Sequence, residues 1–364
     1  MRHRHAASPW RVAALLSWAC ISTASAQRVS VGGPGGGDAD GVQVDSARRL
    51  VVITAGPFHV PVAPPMTGHA YMHMRGDDSL VKQFAWPLTT HIQSLRLALV
   101  DGSGRPLPRR LLHHLNLVNF NRRQLVYPMV ERLMGFGQET EDVSIPRSIG
   151  LPLTAGQRIG LFVMWDNETD RALDDVYVRL TFKWAPANLR PRPLSVMPFI
   201  IDANIVVAGH NTFDVPPGGY TKSYDFELPV SGHVVAAGGH LHDHGIWVRL
   251  VDRTTGRALV TVKAKRDSAG RVFGMTRELL ALRGRGPRLR AGHPYRLEAR
   301  YDNPTPDTLV GMMGMMVGLF EPEDLRDWPA IDPNDRDYLK DLTDILPGGL
   351  FSAGDKGSRH GRHH

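Results

Sequence analysis

The chain has 364 residues, a formal net charge of +7, and one cysteine beside 13 methionines and 17 histidines. The basic excess is mild for this length, and no basic block is interleaved with aromatic residues, so the composition argues against a nucleic-acid partner. The length is sufficient for two domains of ordinary size, each with its own hydrophobic core.

Residues 1–26 are predicted to be a secretory signal peptide. Arginines precede the apolar stretch "VAALLSWACIS", and "ASA" places small residues before a cleavage point at Gln27. This apolar stretch is short for a membrane span, and no later stretch is apolar enough for one. We therefore expect an exported protein, periplasmic or secreted. Cleavage removes Cys20, so a soft-metal site in the mature chain has to use histidine and methionine.

Residues 27–49 are rich in glycine and polar residues and are predicted to be a flexible leader. Short runs of β-branched and aromatic residues then alternate with turn signals, without long helical periodicity. This pattern predicts an all-β fold with two tandem antiparallel β-sandwich domains, at residues 50–184 and 196–322, joined by a proline-rich linker at residues 185–195. Residues 323–364 are predicted to be a tail with one short helix and a disordered, histidine-rich end.

The two predicted domains share an internal repeat. "LTAGQRIGLFVMWDNET" aligns without a gap with "LRAGHPYRLEARYDNPT", and each is preceded by a related turn, "LVDGSGR" or "LVDRTTGR". Two matches in the same order indicate a duplicated sandwich. The shared turn also accounts for the glycosylation sequon at Asn167, to which we attach no function.

The first group of potential metal ligands is "LLHHLNLVNF", with His113 and His114 adjacent. Neighbouring residues on a regular strand face opposite ways, so both can bind one ion only at a bend or an irregular turn. The alternative is one buried, hydrogen-bonded histidine and one exposed histidine, because an unpaired imidazole is costly to bury.

Two further groups follow in the second domain. "GGHLHDHG" contains His240, His242 and His244, whose alternate side chains share one face of a strand; they are either ligands or a polar strand face. "VGMMGMMVGLF" contains four methionines, which either fill the core or offer thioether donors that favour Cu(I). Two histidines and a methionine, without cysteine, are more typical of copper than of zinc.

In this order, the histidine pair, the His-x-His strand and the methionine strand resemble the copper type II, ascorbate-dependent monooxygenases. That family includes peptidylglycine α-hydroxylating monooxygenase and dopamine β-monooxygenase. The resemblance covers about residues 50–322 and implies two tandem jelly-roll domains that each hold one copper across an open cleft. It implies that His240, His242 and Met312 hold the copper that binds O2, with Met313 as the alternative methionine and His244 as a supporting residue.

The resemblance also implies an electron-transfer copper in the first domain, held by His113, His114 and a third ligand. Met164 occupies the position where the family carries the third histidine. A thioether there would favour Cu(I). Gly238 occupies the position of an arginine that grips the peptide carboxylate in the amidating enzyme, so we do not expect peptide amidation.

These observations predict an exported monooxygenase with two coppers, in which ascorbate or another reductant supplies electrons and O2 hydroxylates a small-molecule substrate. The alternative is a non-catalytic periplasmic copper-binding or copper-handling protein on the same fold, which Met164 favours. A metal-free double jelly roll that binds carbohydrate or protein is a third possibility, and fold alone does not separate the three.

Overall fold

The predicted fold class is confirmed: the chain forms two tandem antiparallel jelly-roll β-sandwiches. The computed structural model describes residues 27–29, 41–63, 82–137, 142–207, 211–283 and 285–346. No helix in these ranges is long and apolar enough to cross a membrane. The predicted signal peptide and the histidine-rich end of the tail lie outside the described residues.

The first half of the molecule contains a large sheet and a small one. The large sheet has the order β1-β2-β3-β12-β5-β10-β13, with β6 and β9 also paired to β5, and the small sheet has the order β4-β11-β7-β8. The strands are β1 (Gln27–Val29), β2 (Gly41–Asp45), β3 (Leu50–Val60), β4 (Lys82–Ala85), β5 (Thr90–Val100), β6 (Pro106–Leu107), β7 (Leu112–Arg123), β8 (Val130–Gly137), β9 (Val143–Ser144), β10 (Ile149–Leu153), β11 (Arg158–Trp165), β12 (Leu173–Pro186) and β13 (Leu194–Ser195).

The second half repeats the sandwich. One sheet has the order β14-β25-β17-β21, with β22 also on β17; a second has the order β16-β23-β18-β19-β20, and β15 pairs with β24. The strands are β14 (Met197–Asp202), β15 (Phe213–Val215), β16 (Gly218–Glu227), β17 (Gly232–Leu241), β18 (Gly245–Asp252), β19 (Ala258–Arg266), β20 (Val272–Met275), β21 (Glu278–Leu279), β22 (Arg288–Leu289), β23 (Pro294–Asn303), β24 (Leu309–Met312) and β25 (Gly314–Pro322).

The glycine-rich leader differs from the prediction, because part of it is a strand. β2 pairs antiparallel with β3, and β1 pairs with β2. Val42 is buried in the first core and Val44 packs against that core. The alternation of valine and polar residues in "GVQVD" supplies an apolar strand face, which outweighs the surrounding glycines.

Each half has its own core, formed by the alternate apolar residues of facing strands. Leu115 of β7, Leu161 of β11 and Trp86 lie in the first core. Leu241 of β17 and Met316 of β25 lie in the second. The residues between these positions point out of the sandwiches, and this alternation sets the direction of the side chains discussed below.

The repeated turns have the same hydrogen bonds in both halves. Asn167 donates its side-chain amide to two backbone carbonyls at 3.2 and 2.8 Å, and Asn303 does so at the same two distances. Thr169 and Thr305 each donate a backbone N–H and a hydroxyl to the asparagine two residues earlier. The repeat found in the sequence is therefore a repeat of structure, and the 1% exposed Asn167 has a structural role.

The C-terminal helix α1 (Arg336–Ile345) returns from the second half to the first. Its N-cap, Asp335, accepts hydrogen bonds from two backbone N–H groups of the first turn. Tyr338 and Ile345 pack against the outer face of the small sheet, on the apolar side chains Val118, Phe120 and Val130. The buried carboxylate of Asp341 accepts hydrogen bonds from the Val130 N–H and the Arg132 guanidinium.

The two halves are also in direct contact. Leu125, which follows β7, is buried in the core of the second half. Tyr127 accepts a hydrogen bond from the backbone N–H of Asp202 at 2.9 Å, and the Trp328 indole donates to the Arg123 carbonyl. This contact places the outer face of the small sheet beside the outer face of the β14-β25-β17 sheet.

Candidate functional site

The adjacent histidines of β7 lie at an irregularity in the strand. His114 pairs with Met164 of β11, but the next residue of β11, Trp165, pairs with Leu112, which leaves His113 as an extra residue. Such a β-bulge redirects a side chain that would otherwise face the core. The rings of His113 and His114 accordingly stack, with centroids 4.2 Å apart and planes 29° apart. This bulge is the irregularity that two neighbouring histidines need if their side chains are to share one face.

The methionine predicted to accompany this pair lies on the neighbouring strand. Directly opposed residues of antiparallel strands share a face, with Cβ atoms about 5 Å apart. Met164 is directly opposite His114. Both side chains are half-buried and point away from the first core, because Leu115 and Val163, their neighbours in the chain, point into it.

The second half presents the same combination. His240 of β17 is directly opposite Met315 of β25. The flanking residues Leu241 and Met316 are buried in the second core, so His240 and Met315 point outward from it. Each half therefore contributes one histidine with a methionine as its cross-strand neighbour.

His242 lies just after the end of β17, in a position fixed by its backbone. Its N–H donates to the hydroxyl of Tyr301 at 3.0 Å, and that hydroxyl donates in turn to the Met313 carbonyl. Burial, followed by the proximity of His240 and His114, lowers the pKa of His242 to about 4, although a hydrogen bond with the Gly311 backbone acts in the opposite direction. At neutral pH this imidazole is uncharged, which is the form that binds metal ions.

The two histidine pairs meet between the halves. His114 and His240 approach edge to face with centroids 6.2 Å apart, and His240 and His242 are 5.1 Å apart. His113, His114, His240 and His242 thus form one continuous chain of ring contacts, which we call the interface histidine cluster. Four imidazoles from strands that are distant in sequence converge at this point.

A buried carboxylate accompanies the cluster. Asp202, the last residue of β14, is 0% exposed. Burial raises the pKa of Asp202 to about 7, while a backbone hydrogen bond from Asn204 and the proximity of His240 lower it. Neither Asp202 nor Met315 was selected from the sequence. The alternation in "MMGMM" was the available signal for Met315, whereas the position of Asp202 depends on strand pairing.

The donor chemistry fits a transition-metal ion, but the side chains are not already arranged around one. Within the described residues, no group of three or more histidine, cysteine, aspartate or glutamate side chains is placed to hold a metal ion. Imidazole and thioether are donors for soft and borderline ions. A third donor must therefore be a thioether, or a nearby imidazole or carboxylate must turn about its side-chain bonds when an ion binds.

The remaining candidates occupy separate positions. Met312, at the end of β24, is half-buried and packs against the second core, and its strand partner is Phe213. His244 has a φ of 67° and lines a polar cavity of about 500 Å³ with Arg266, Asp267 and Asp302. The supporting, non-ligand role of His244 stays a prediction. Met312 as a ligand stays a prediction.

Comparisons with known proteins give no match to the family that the sequence motifs resemble. No family model and no curated protein matches the chain. The chain is similar to the major capsid protein P2 of bacteriophage PM2, at 11% identity over 74% of this chain and 98% of that one, with a TM-score of 0.37. It is also similar to a chain in the atomic structure of Sulfolobus Turreted Icosahedral Virus, at 11% identity over 82% of this chain and 97% of that one, with a TM-score of 0.35. For the mavirus major capsid protein the identity is 7% over 87% of this chain and 94% of that one, and the TM-score is 0.27.

The predicted membership of the copper monooxygenase family is wrong. No family model and no curated protein of that family matches the chain. The geometry also differs, because the family places its two metal sites across an open cleft, whereas His114 and His240 are here in ring contact. The predicted monooxygenase, and the copper-handling alternative derived from the same resemblance, are both withdrawn. Export and the identity of any bound metal, predicted as copper with a reductant, stay predictions.

Proposed function

We propose that this chain is a metal-binding protein whose interface histidine cluster holds one first-row transition-metal ion between the two halves. The observation that carries the proposal is the convergence of the two histidine pairs, His113–His114 and His240–His242, in one chain of ring contacts. An ion bound there would join strands β7 and β17 and so connect the halves.

The composition of the cluster supports binding of a soft or borderline ion. Each half supplies a histidine opposite a methionine, His114 with Met164 and His240 with Met315. Neutral imidazole nitrogen and thioether sulfur suit later first-row ions better than Mg²⁺ or Ca²⁺.

Metal binding to the full chain tests this function. The tail histidines His360, His363 and His364 are first replaced by alanine, because they could bind metal by themselves. Equilibrium dialysis with Zn²⁺, Ni²⁺ and Cu(I), and with Mg²⁺ as a hard-ion control, should then give about one bound soft or borderline ion per chain and no bound Mg²⁺.

Paired substitutions locate the ion. The double replacement His240→Ala with His242→Ala should abolish binding, because it removes both imidazoles of the second half. The matched control is His59→Ala with His233→Ala, since these histidines bond elsewhere, to Asp174 and to the Gly286 carbonyl. The function is refuted if the first double variant keeps full metal stoichiometry with an unchanged circular dichroism spectrum.

A further inference from the structure

Three residues form a row across the outer face of the second half. Asp202 of β14 is directly opposite Met315 of β25, and Met315 is directly opposite His240 of β17. Directly opposed residues of an antiparallel sheet point to the same side. The Asp202 side chain therefore lies on the face that carries the interface histidine cluster.

The Asp202 carboxylate is buried with one oxygen unused. Oδ1 accepts a hydrogen bond from the Asn204 N–H at 2.8 Å. Oδ2 is buried and has no hydrogen-bond donor among the described residues. A buried carboxylate oxygen without a partner costs free energy, and a cation or a donor that reaches it removes that cost.

The surroundings of Asp202 hold it in place. Its own N–H donates to the Tyr127 hydroxyl of the first half at 2.9 Å. No ion pair with arginine or lysine is formed by Asp202 within the described part of the chain, and its electrostatic partner is His240. The carboxylate thus lies beside the cluster and forms no salt bridge with another described residue.

We propose that Asp202 supplies the carboxylate donor of the interface histidine cluster and makes the site selective for a divalent over a monovalent ion. This inference rests on the metal-binding function proposed above. Imidazole and thioether are uncharged, so the carboxylate is the donor whose Coulomb attraction grows with the charge of the ion. Carboxylate oxygen also favours harder ions than thioether does.

The test compares Asp202→Asn with the parent chain in the background that lacks the tail histidines. The affinities for Zn²⁺ and Ni²⁺ should fall by at least about 10- to 100-fold, because a direct donor should contribute no less than the residues that hydrogen-bond to metal ligands, whose removal costs that much. The affinity for Cu(I) should change by less than about threefold, because the soft donors remain.

Asp243→Asn is the matched control. Asp243 lies next to His242 in the chain, and its carboxylate accepts a hydrogen bond from the Val272 N–H. This variant removes the same charge close to the cluster without touching Asp202, so it should keep the divalent affinity of the parent.

The outcomes separate the two proposals. A parent chain that binds none of the ions refutes the metal-binding function itself. A parent that binds Zn²⁺ while Asp202→Asn binds it equally well, or a loss of the same size in Asp243→Asn, overturns the role of Asp202 alone. If Asp202→Asn does not fold, infrared difference spectra of the parent decide: carboxylate bands that shift on addition of Zn²⁺ support the proposal, and unchanged bands overturn it.

Discussion

Glu131 of β8 is a fully buried acid close to the contact between the halves. Its Oε2 accepts hydrogen bonds from Arg122 at 2.8 Å and from Asn119 at 3.2 Å. Arg122 also contacts the sulfur of Met197 in the second half. Burial raises the pKa of Glu131 to about 7, although Arg122 and Asn119 lower it. Removing one partner from a buried pair of this kind destabilises the fold by more than the intact pair contributes to stability.

The raised pKa of Glu131 should be visible in how the stability of the protein changes with pH. Between pH 4.5 and about 7 the folded state holds a proton that the unfolded state has lost, so the free energy of unfolding falls as the pH rises through that window. The effect is about 3 kcal/mol. In urea unfolding, the free energy of unfolding of the parent should fall by this amount between pH 4.5 and about 7, relative to that of Glu131→Gln. Glu227→Gln, an exposed control, should keep the slope of the parent; parallel curves for parent and Glu131→Gln would contradict the prediction.

At the scale of the element, β25 shows how strand alternation separates packing from binding. Met316 is 0% exposed in the second core, whereas its neighbour Met315 faces the interface histidine cluster. One strand therefore offers a structural and a candidate ligand methionine at consecutive positions.

Alanine substitutions should separate these roles. Met316→Ala should lower the free energy of unfolding by about 2–5 kcal/mol, because it leaves a cavity. Met315→Ala should cost less than about 1 kcal/mol but weaken Cu(I) binding, since it removes a thioether. Urea unfolding and competition for Cu(I) measure the two effects. A loss of Cu(I) affinity in Met312→Ala, with the affinity of Met315→Ala unchanged, would favour Met312 as the ligand over Met315.

The elements were predictable where local pattern decides them. Alternation predicted the sandwiches, and the shared Asp-Asn turn predicted equivalent positions for Asn167 and Asn303, whose hydrogen bonds agree. The bulge at His113 was identified as a requirement but could not be located, because it depends on the pairing of β7 with β11. Met315 and Asp202 were missed for the same reason: their place beside His240 is set by register across three strands.

At the scale of the whole molecule, the relation between the halves could not be predicted. Hydrophobic periodicity describes which face of a strand is buried, not which partner covers it. The same limit affected the family resemblance, which placed the two histidine pairs across an open cleft, whereas Leu125 and Tyr127 bring the halves into contact.

The packing of α1 on the first half should contribute strongly to stability through the ion pair between Asp341 and Arg132. This carboxylate is 1% exposed and pairs with both terminal nitrogens of Arg132. Asp341→Asn should lower the free energy of unfolding by about 3–5 kcal/mol, because it leaves a guanidinium without its buried partner. Lys340→Gln, at an exposed position of the same helix, should change it by less than about 0.5 kcal/mol. Urea unfolding measures both, and equal midpoints would contradict the prediction.

The helix that packs back onto the first half also closes the chain into a circuit. The halves are connected once between β12 and β14 and a second time by the segment from β25 to α1. A second tether raises the effective concentration of each half for the other. A single-hinge opening of the molecule would first require α1 to detach. We therefore expect detachment of this short helix to be one of the steps that an opening of the halves around the imidazoles requires, together with the loss of the Tyr127–Asp202 and Trp328–Arg123 hydrogen bonds.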